Sequence, residues 1–227
     1  GIALAMAGKL KGYKVIIIMP DTMSIERRQL VKAFGAELIL TEGAKGMAGS
    51  IEKANELLDK NPNYICLGQF DNEDNPRAHY ETTGPEILKE VKDVSFIVAG
   101  IGSGGTIVGA GKFLKEKNKE IKVIGIEPKS SPLITENKSG PHKIQGIGAN
   151  FIPKIYDKDI VDKVITVSDE DSYETVRLIA NKLGILIGIS SGANIFGAMK
   201  LSDENPDKII VTVAPDGVDK YMSMGIF

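Results

Sequence analysis

Short apolar runs alternate with segments of helical periodicity along this chain. In the first third, apolar runs at residues 15–19, 37–40 and 64–67 follow helical patterns at residues 1–10, 24–34 and 47–58. Apolar runs of this length between helices are typical of parallel strands that are covered on both faces. The regular order and the short connections predict a doubly wound α/β fold with a mostly parallel sheet.

A polar stretch interrupts this order and predicts a domain boundary. It is the sequence DNEDNP at residues 71–76, and it separates a first domain, residues 1–70, from a second domain, residues 71–227. In the second domain we predict strands at residues 94–99, 122–127, 161–167 and 209–214. The helical patterns of that domain lie at residues 77–80, 84–91, 169–183 and 190–201, with a further helix that ends near residue 117.

Composition and charge limit the classes of function. The chain has 28 basic and 30 acidic residues without long blocks of either sign, so neither nucleic acid nor a charged membrane surface is an expected partner. The single cysteine, Cys66, lies in the third apolar run, and we expect a buried strand thiol in a reducing, cytoplasmic setting. No apolar stretch approaches the roughly 20 residues that span a bilayer, and no secretory signal is visible.

A glycine-rich stretch after the strand at residues 94–99 is the first candidate for chemistry. Four glycines and two hydroxyl residues precede the next helix: Gly100, Gly102, Ser103, Gly104, Gly105 and Thr106. A helix that begins directly after a strand has unpaired backbone N–H groups at the positive end of its dipole, and the hydroxyls add donors. Residues 100–106, called the cradle below, therefore predict a phosphate-binding site, with an ordinary strand-to-helix turn as the alternative.

The spacing of these glycines also fits a dinucleotide site. Gly100, Gly102 and Gly105 satisfy G-x-G-x-x-G after a strand, and Glu127 ends the next strand about where a ribose-binding acid is expected. The additional glycine and Thr106 favour a compact cup for a single phosphate. On the residues alone, both kinds of phosphate site remain open.

A second glycine-rich segment, residues 140–153, belongs to a long irregular stretch. Irregular segments of this length in compact domains are usually functional rather than simple connections. Gly146 and Gly148 permit the close approach of either a ligand or another backbone segment. His142 is expected to be a structural hydrogen-bonding residue rather than a catalyst. His79, on a predicted helix, is a weaker candidate for a catalytic role than His142. The sequence has no Cys/His cluster with metal-ligand spacing and no G-x-S-x-G motif, so we predict no metal and no serine nucleophile.

A set of short motifs, in order along the whole chain, carries a resemblance to a known family. The motifs are MPDTMSIERR (19–28), TEGAKGM (41–47), QF (69–70), NP (75–76), TTGPEI (82–87), the cradle, PHKIQGIG (141–148), GISSGA (188–193) and YMS (221–223). Together they resemble the cysteine synthases, or O-acetylserine sulfhydrylases, among the pyridoxal-phosphate enzymes of fold type II. The resemblance implies two doubly wound α/β domains with mostly parallel sheets. Residues 1–70 would be an incomplete, mobile substrate domain, and residues 71–227 would hold the cofactor phosphate.

The resemblance also implies site residues. Those implied to bind the phosphate of pyridoxal 5′-phosphate are Gly102, Ser103, Gly104, Gly105 and Thr106. Those implied to bind the substrate are Gln69 and Gly1 at its carboxylate, and Gly146, Ile147 and Gly148 along the entrance. Gly1 resembles the last residue of the family's Asn-containing carboxylate loop.

The implied reaction is a β-replacement that forms L-cysteine from O-acetyl-L-serine and sulfide, with the cofactor as the electron sink. In the family, a lysine upstream of the Asn-containing loop forms the Schiff base with the cofactor, and neither Lys45 nor Lys143 stands at the matching position. We therefore expect an N-terminally truncated chain that contains no catalytic residue and shows no turnover by itself.

A second departure concerns the pyridine nitrogen of the cofactor. Many relatives have a serine that hydrogen-bonds this nitrogen, whereas Gly217 stands at the matching position here, next to Asp216. The resemblance then implies that Asp216 or a water binds the nitrogen, or that the nitrogen is neutral.

The family further implies a homodimer and a complex with the C-terminal tail of serine acetyltransferase. The nearest alternative is a cystathionine β-synthase or a cysteine β-lyase on the same fold, because Asn150 stands where many sulfhydrylases have a smaller residue. A nicotinamide-dependent oxidoreductase and a non-catalytic binding module are the alternatives from other classes.

Overall fold

The computed structural model describes residues 1–227, which form two compact units. The first unit comprises Gly1–Leu67 together with Val218–Phe227, and the second comprises Gly68–Gly217. The first change of unit along the chain lies close to the predicted boundary at residue 70. The C-terminal residues differ from the prediction, since they pack within the first unit rather than with residues 71–217.

The first unit is built around a two-stranded parallel sheet. Its elements are α1 (Ile2–Leu10), β1 (Ile16–Pro20), α2 (Ile25–Ala33), β2 (Glu37–Thr41) and α3 (Gly46–Lys60). β1 and β2 pair in parallel, with Ile18 opposite Ile39. Ala5, Ile17 and Val31 form the centre of its core. The predicted order of helices and strands up to residue 60 is thereby confirmed.

The third predicted strand, at residues 64–67, is wrong. This run is not part of a strand, and its side chains, including Ile65 and Cys66, are exposed. An apolar run becomes a strand only where a neighbouring strand supplies hydrogen bonds, and the sheet of this unit contains β1 and β2 alone. The expected buried thiol of Cys66 is wrong for the same reason.

The C-terminal segment is held by α2 and its N-cap. Tyr221 is fully buried, its ring lies 4.9 Å from the Arg27 guanidinium carbon, and its hydroxyl accepts a hydrogen bond from Arg27. The hydroxyl of Ser24 donates to the Lys220 carbonyl at 2.6 Å. Glu26 accepts from the amide of Ser223 at 2.6 Å. These contacts explain why the tail belongs to the first unit.

The second unit contains a four-stranded parallel sheet in the order β5-β4-β3-β6. Its strands are β3 (Val94–Gly100), β4 (Lys122–Pro128), β5 (Lys163–Val167) and β6 (Ile209–Thr212). Its helices are α4 (Asp74–Ala78), α5 (Gly84–Glu90), α6 (Gly105–Lys117), α7 (Leu133–Glu136), α8 (Asp169–Leu183) and α9 (Ile189–Glu204). A π-helical turn, His79–Thr83, joins α4 to α5. The predicted α/β class with parallel sheets is confirmed.

Local sequence explains where the helices of this unit begin and end. Ser168 caps α8, because its hydroxyl accepts the amide of Asp171 at 3.1 Å, and three acidic residues follow in the first turn. Gly184 ends the helix in the left-handed conformation, with φ +68°. The core between α6 and the sheet contains Ile97, Ile107 and Val123, all fully buried. This packing fixes the orientation of α6, and with it the cradle.

Candidate functional site

The cradle lies at the carboxyl end of β3, where the chain turns directly into α6. Gly104 is the N-cap of α6 and has φ +89°, a conformation that favours glycine. The first hydrogen bond of the helix joins the Val108 amide to the Gly104 carbonyl at 3.0 Å, so the preceding amides have no partner inside the helix. Ser103 and Thr106 are partly exposed beside them. The junction thus presents backbone and hydroxyl donors, as the sequence predicts.

Close packing explains why glycine is needed at three further positions of the cradle. A Cβ atom on Gly102 would overlap the carbonyl oxygen of Gly146, and one on Gly105 would overlap the side-chain amide of Asn75. A Cβ on Gly100 would overlap the side chain of Ile147. The cradle is therefore enclosed by the segment at residues 146–147 and by Asn75.

Two side chains from the helical segment at residues 74–83 bind the hydroxyls of the cradle. The Nδ2 atom of Asn75 donates to Ser103 Oγ at 2.9 Å. The Nε2 atom of His79 lies 3.1 Å from Thr106 Oγ1, and its Nδ1 lies 2.9 Å from Thr83 Oγ1. Sequence reasoning did not identify Asn75 as a site residue, and it gave His79 little weight. Their spacing of four residues places both on one helix face, but the sequence does not show which element that face contacts.

The loop at residues 146–148 meets the cradle through its backbone. Gly146 and Gly148 have φ of +103° and +65°, respectively. The Gly148 amide donates to the Ile101 carbonyl at 2.9 Å, and the Gly148 carbonyl accepts from His142 Nε2 at 2.8 Å. His142 thus has the structural role that the sequence favours, while the substrate role of residues 146–148 stays a prediction.

The segment at residues 215–217 follows β6, the neighbour of β3, so both carboxyl ends lie at the same edge of the sheet. The Asp216 carbonyl accepts the Gly188 amide at 2.8 Å, and Gly217 forms an antiparallel bridge with Ile187. These contacts anchor the segment on the start of α9. The roles of Asp216 and Gly217 toward a cofactor remain predictions.

Gln69 is linked to the cradle by a single side chain. The Gln69 carbonyl accepts from Asn75 Nδ2 at 2.8 Å, and that nitrogen also reaches Ser103, while the Gln69 side chain is exposed. Gly1 precedes α1 in the first unit. The structure therefore brings Gln69 and residues 146–148 together with the cradle, and Gly1 stays a predicted carboxylate contact.

Glu127 is not available as a ribose-binding acid. It is 2% exposed, and its carboxylate accepts from the amides of Ile134 and Thr135 at 2.9 and 3.0 Å and from the Thr135 hydroxyl at 2.5 Å. These bonds cap α7 and use both carboxylate oxygens. Glu127 therefore does not support a dinucleotide site at the cradle.

Asn150 also has a local structural role. Its φ of +63° lies in the left-handed region, and its Oδ1 accepts from Ser131 Oγ at 2.8 Å. Asparagine adopts this conformation more readily than other non-glycine residues, and its Oδ1 is used within the loop. The side chain therefore does not support an alternative second substrate.

The donors of the cradle fit the phosphate group of pyridoxal phosphate. A single phosphate needs several convergent N–H and O–H donors and little room for side chains, which is what residues 102–106 provide. Burial lowers the pKa of the His79 imidazole, so this ring is neutral near pH 7 and can accept at one nitrogen while donating at the other. No three His, Cys, Asp or Glu side chains come together as metal ligands, and no helix is long and apolar enough to cross a membrane.

Comparisons with known proteins identify the family of the chain. The family model described as pyridoxal-phosphate dependent enzyme matches residues 1–216. Cysteine synthase B of Campylobacter jejuni is 47% identical over 228 residues, which is 100% of this chain and 76% of that protein. The crystal structure of cysteine synthase from Entamoeba histolytica has a TM-score of 0.93 at 44% identity and covers 100% of this chain and 68% of its own.

A further solved structure, the O-acetylserine-dependent cystathionine β-synthase of Helicobacter pylori, has a TM-score of 0.95 at 39% identity, with 99% of this chain and 74% of that chain covered. The match to the family model and the identity to cysteine synthases both extend over nearly the whole chain. The chain belongs to the family of pyridoxal-phosphate-dependent enzymes, within the group of cysteine synthases.

Proposed function

We propose that this chain provides the phosphate site and the substrate loop for a reaction that forms L-cysteine and acetate from O-acetyl-L-serine and sulfide. The observation that carries the proposal is the cradle, in which the uncharged donors of residues 102–106 converge at the start of α6. The identity to cysteine synthases supports the choice of reaction.

In this proposal each segment has a separate task. Residues 102–106 bind the cofactor phosphate through backbone amides and the hydroxyls of Ser103 and Thr106. Gln69 and Gly1 bind the substrate carboxylate, and residues 146–148 line the entrance. When bound, pyridoxal phosphate withdraws electrons from the α-carbon of the amino acid, which permits loss of acetate and addition of sulfide.

The segment at residues 215–217 is assigned to the pyridine nitrogen. Gly217 has no side chain, so Asp216 or a water bound there is the partner that we propose for the nitrogen. The anchoring of the Asp216 backbone on Gly188 supports this assignment, because it keeps the segment in place at the edge of the sheet.

Assembly and location are further parts of the proposal. We propose a cytoplasmic homodimer that also binds the C-terminal tail of serine acetyltransferase. These statements rest on the resemblance to the cysteine synthases alone.

A second candidate differs only in the nucleophile. The Helicobacter pylori enzyme, which resembles this chain at a TM-score of 0.95, is described as an O-acetylserine-dependent cystathionine β-synthase. In that case homocysteine replaces sulfide, and cystathionine is the product. The bond between Asn150 and Ser131 removes one reason for this candidate, and we favour sulfide.

A product assay distinguishes the two candidates. A polypeptide that contains residues 1–227 and the cofactor-binding lysine of the family is supplied with O-acetyl-L-serine and either sulfide or homocysteine. We expect cysteine to form roughly tenfold or more faster than cystathionine at equal nucleophile concentration. Faster cystathionine formation would favour the second candidate, and absence of cofactor absorbance in that polypeptide would contradict both.

A further inference from the structure

We propose that Asn75 and His79 are positioning residues that bind the oxygens of Ser103 and Thr106, so that both hydroxyl hydrogens point to the cofactor phosphate. The proposal rests on the function proposed above. It adds the donor and the acceptor of the hydrogen bonds that Asn75 and His79 form with the hydroxyls of the cradle. Neither residue touches the phosphate itself. Each acts through one hydroxyl.

The contacts of Asn75 fix the direction of its hydrogen bond. The same side-chain atom lies 2.8 Å from the Gln69 carbonyl oxygen and 2.9 Å from Ser103 Oγ. A carbonyl oxygen only accepts, so this atom is the NH₂ nitrogen, and both contacts are donated by Asn75. The oxygen of Ser103 is then an acceptor, and its hydrogen remains available for a ligand.

The contacts of His79 allow two directions. In one, Thr83 donates to Nδ1, Nε2–H donates to Thr106 Oγ1, and the Thr106 hydrogen is free. In the other, Nδ1–H donates to Thr83, and Thr106 donates its hydrogen to Nε2. A phosphate dianion only accepts hydrogen bonds, so only the first direction leaves Thr106 a hydrogen to donate to it. The bound phosphate therefore selects the Nε2–H form of a neutral imidazole.

The packing of this segment on α6 supports a positioning role. A Cβ on Gly109 would overlap the Pro76 carbonyl, and one on Gly105 would overlap the Asn75 amide. The lack of side chains at these two positions of α6 therefore lets the helical segment at residues 74–83 pack closely against it. Tyr80 adds an edge-on contact with Phe113, with ring centroids 5.6 Å apart, and its hydroxyl donates to Glu116 at 2.6 Å. The two donors are thus held against the cradle by their own helical segment.

Nitrogen NMR of the unaltered chain tests the direction at His79. The chain has two histidines, so the imidazole spectrum contains two sets of signals, and the set missing in the variant His79→Gln belongs to His79. With pyridoxamine 5′-phosphate bound, we expect hydrogen on Nε2 of His79 and a pyridine-type signal from Nδ1. Hydrogen on Nδ1 in the bound state would overturn the proposal.

Binding of two probes tests the effect on the phosphate. Pyridoxamine 5′-phosphate and pyridoxamine lack an aldehyde, so they report the site without a covalent bond to any lysine. In His79→Leu and in Asn75→Asp we expect the affinity for pyridoxamine 5′-phosphate to fall about tenfold or more, since hydrogen bonds to charged groups are the stronger ones. The affinity for pyridoxamine should stay within about twofold, because the effect passes through the phosphate donors alone.

His79→Gln is the matched control, because its amide NH₂ can replace Nε2–H. We expect it to restore most of the affinity lost in His79→Leu. Equal losses for both probes, or no rescue by glutamine, would show that His79 only supports the fold. If the unaltered chain binds both probes equally, the proposed function fails as well, whereas a preference for the phosphate that is insensitive to Asn75 and His79 contradicts this inference alone.

Discussion

Each compact unit contains a junction at which a parallel strand turns into a helix, and the two junctions are built from different residues. In the first unit, β1 leads to α2 through residues 21–24, which include no glycine. In the second unit, β3 leads to α6 through residues 101–104, and the glycines there allow other backbone segments to approach closely.

At the first junction, side chains of α2 and its N-cap bind the backbone of the connection and also bind the C-terminal segment. Arg28 donates from Nε to the Met23 carbonyl at 3.0 Å and from another nitrogen to the Asp21 carbonyl, while Ser24 and Arg27 bind the C-terminal segment. At the second junction, the hydroxyls of Ser103 and Thr106 contact Asn75 and His79, and both residues are partly exposed. The same topology therefore gives a structural joint in one unit and the proposed phosphate site in the other.

The largest effect is expected from Tyr221→Ala, which removes the buried ring that contacts Arg27 next to the first junction. Tyr221 is fully buried and covers Arg27, so truncation should lower the free energy of unfolding by about 3–5 kcal/mol. Hydrogen exchange followed by mass spectrometry should show the loss of protection in the first unit, in α2 and at residues 218–227.

Tyr221→Phe is the control for this truncation, because it keeps the ring and removes only the hydroxyl that binds Arg27. Its expected cost is about 1–2 kcal/mol. A loss of protection in Tyr221→Ala that is as large in β3 and α6 as in α2 would contradict the assignment of the Tyr221 contacts to the first unit.

The next effect in size is that of Gly102→Ala, which alters the second junction. The new Cβ would overlap the Gly146 carbonyl, a backbone atom that cannot rotate away, so we expect a loss of about 1–3 kcal/mol in unfolding free energy. The affinity for pyridoxamine 5′-phosphate should fall by more than about tenfold, because the donors of the cradle move. Calorimetric titration and urea unfolding measure the two effects separately.

Gly184→Ala is the matched control for a glycine outside the cradle. Gly184 has φ +68° with open space around its Cα, so alanine there costs about 1–2 kcal/mol from the left-handed backbone alone. Its affinity for pyridoxamine 5′-phosphate should equal that of the parent. Equal affinities in Gly102→Ala and Gly184→Ala would contradict the assignment of the cradle.

The smallest effect is a pH dependence that distinguishes the junctions. Burial lowers the pKa of His79 from its ordinary 6.5, so the unfolded chain binds more protons than the folded one as the pH falls through this range. The contribution of His79 to stability is therefore complete above about pH 6.5 and decreases at lower pH. At the first junction, hydrogen bonds keep the pKa of Glu26 below 4.5, outside this range.

Urea midpoints at about pH 8 and about pH 5.5 measure this difference. We expect the parent to lose more stability on acidification than His79→Gln does. Ser24→Ala, at the first junction, should show the same acid-dependent loss as the parent. An identical pH dependence in the parent and His79→Gln would show that His79 does not titrate differently in the folded state.

Much of the fold follows from apolar runs and helix ends in the sequence. β3 and β4 are predicted correctly because their runs are buried on both faces in a four-stranded sheet. The run at residues 64–67 is also apolar but has no neighbouring strand, and the run itself does not show whether a neighbouring strand is present. The place of the C-terminal segment depends likewise on contacts of Tyr221 and Ser24 that join residues far apart in sequence.

Some residues of the candidate site can likewise be predicted from the sequence, whereas others depend on tertiary packing. The donors of the cradle follow from glycine spacing and helix geometry, so residues 102–106 can be predicted as a phosphate site from the sequence, and that role stays a prediction. Asn75 and His79 lie on a helix whose pattern equally fits a packed surface, and their contacts with Ser103 and Thr106 arise only when that helix lies on α6. For Glu127 the sequence is misleading. Its spacing from the cradle suggests ribose binding, but its carboxylate caps α7.

The most direct test of the central claim is the ratio of two affinities in the unaltered chain, measured by calorimetric titration with pyridoxamine 5′-phosphate and with pyridoxamine. The two probes differ only in the phosphate group, so the ratio isolates the contribution of the cradle. We predict that the phosphorylated probe binds at least about tenfold more tightly. Equal affinities would contradict the claim that residues 102–106 bind the phosphate of the cofactor.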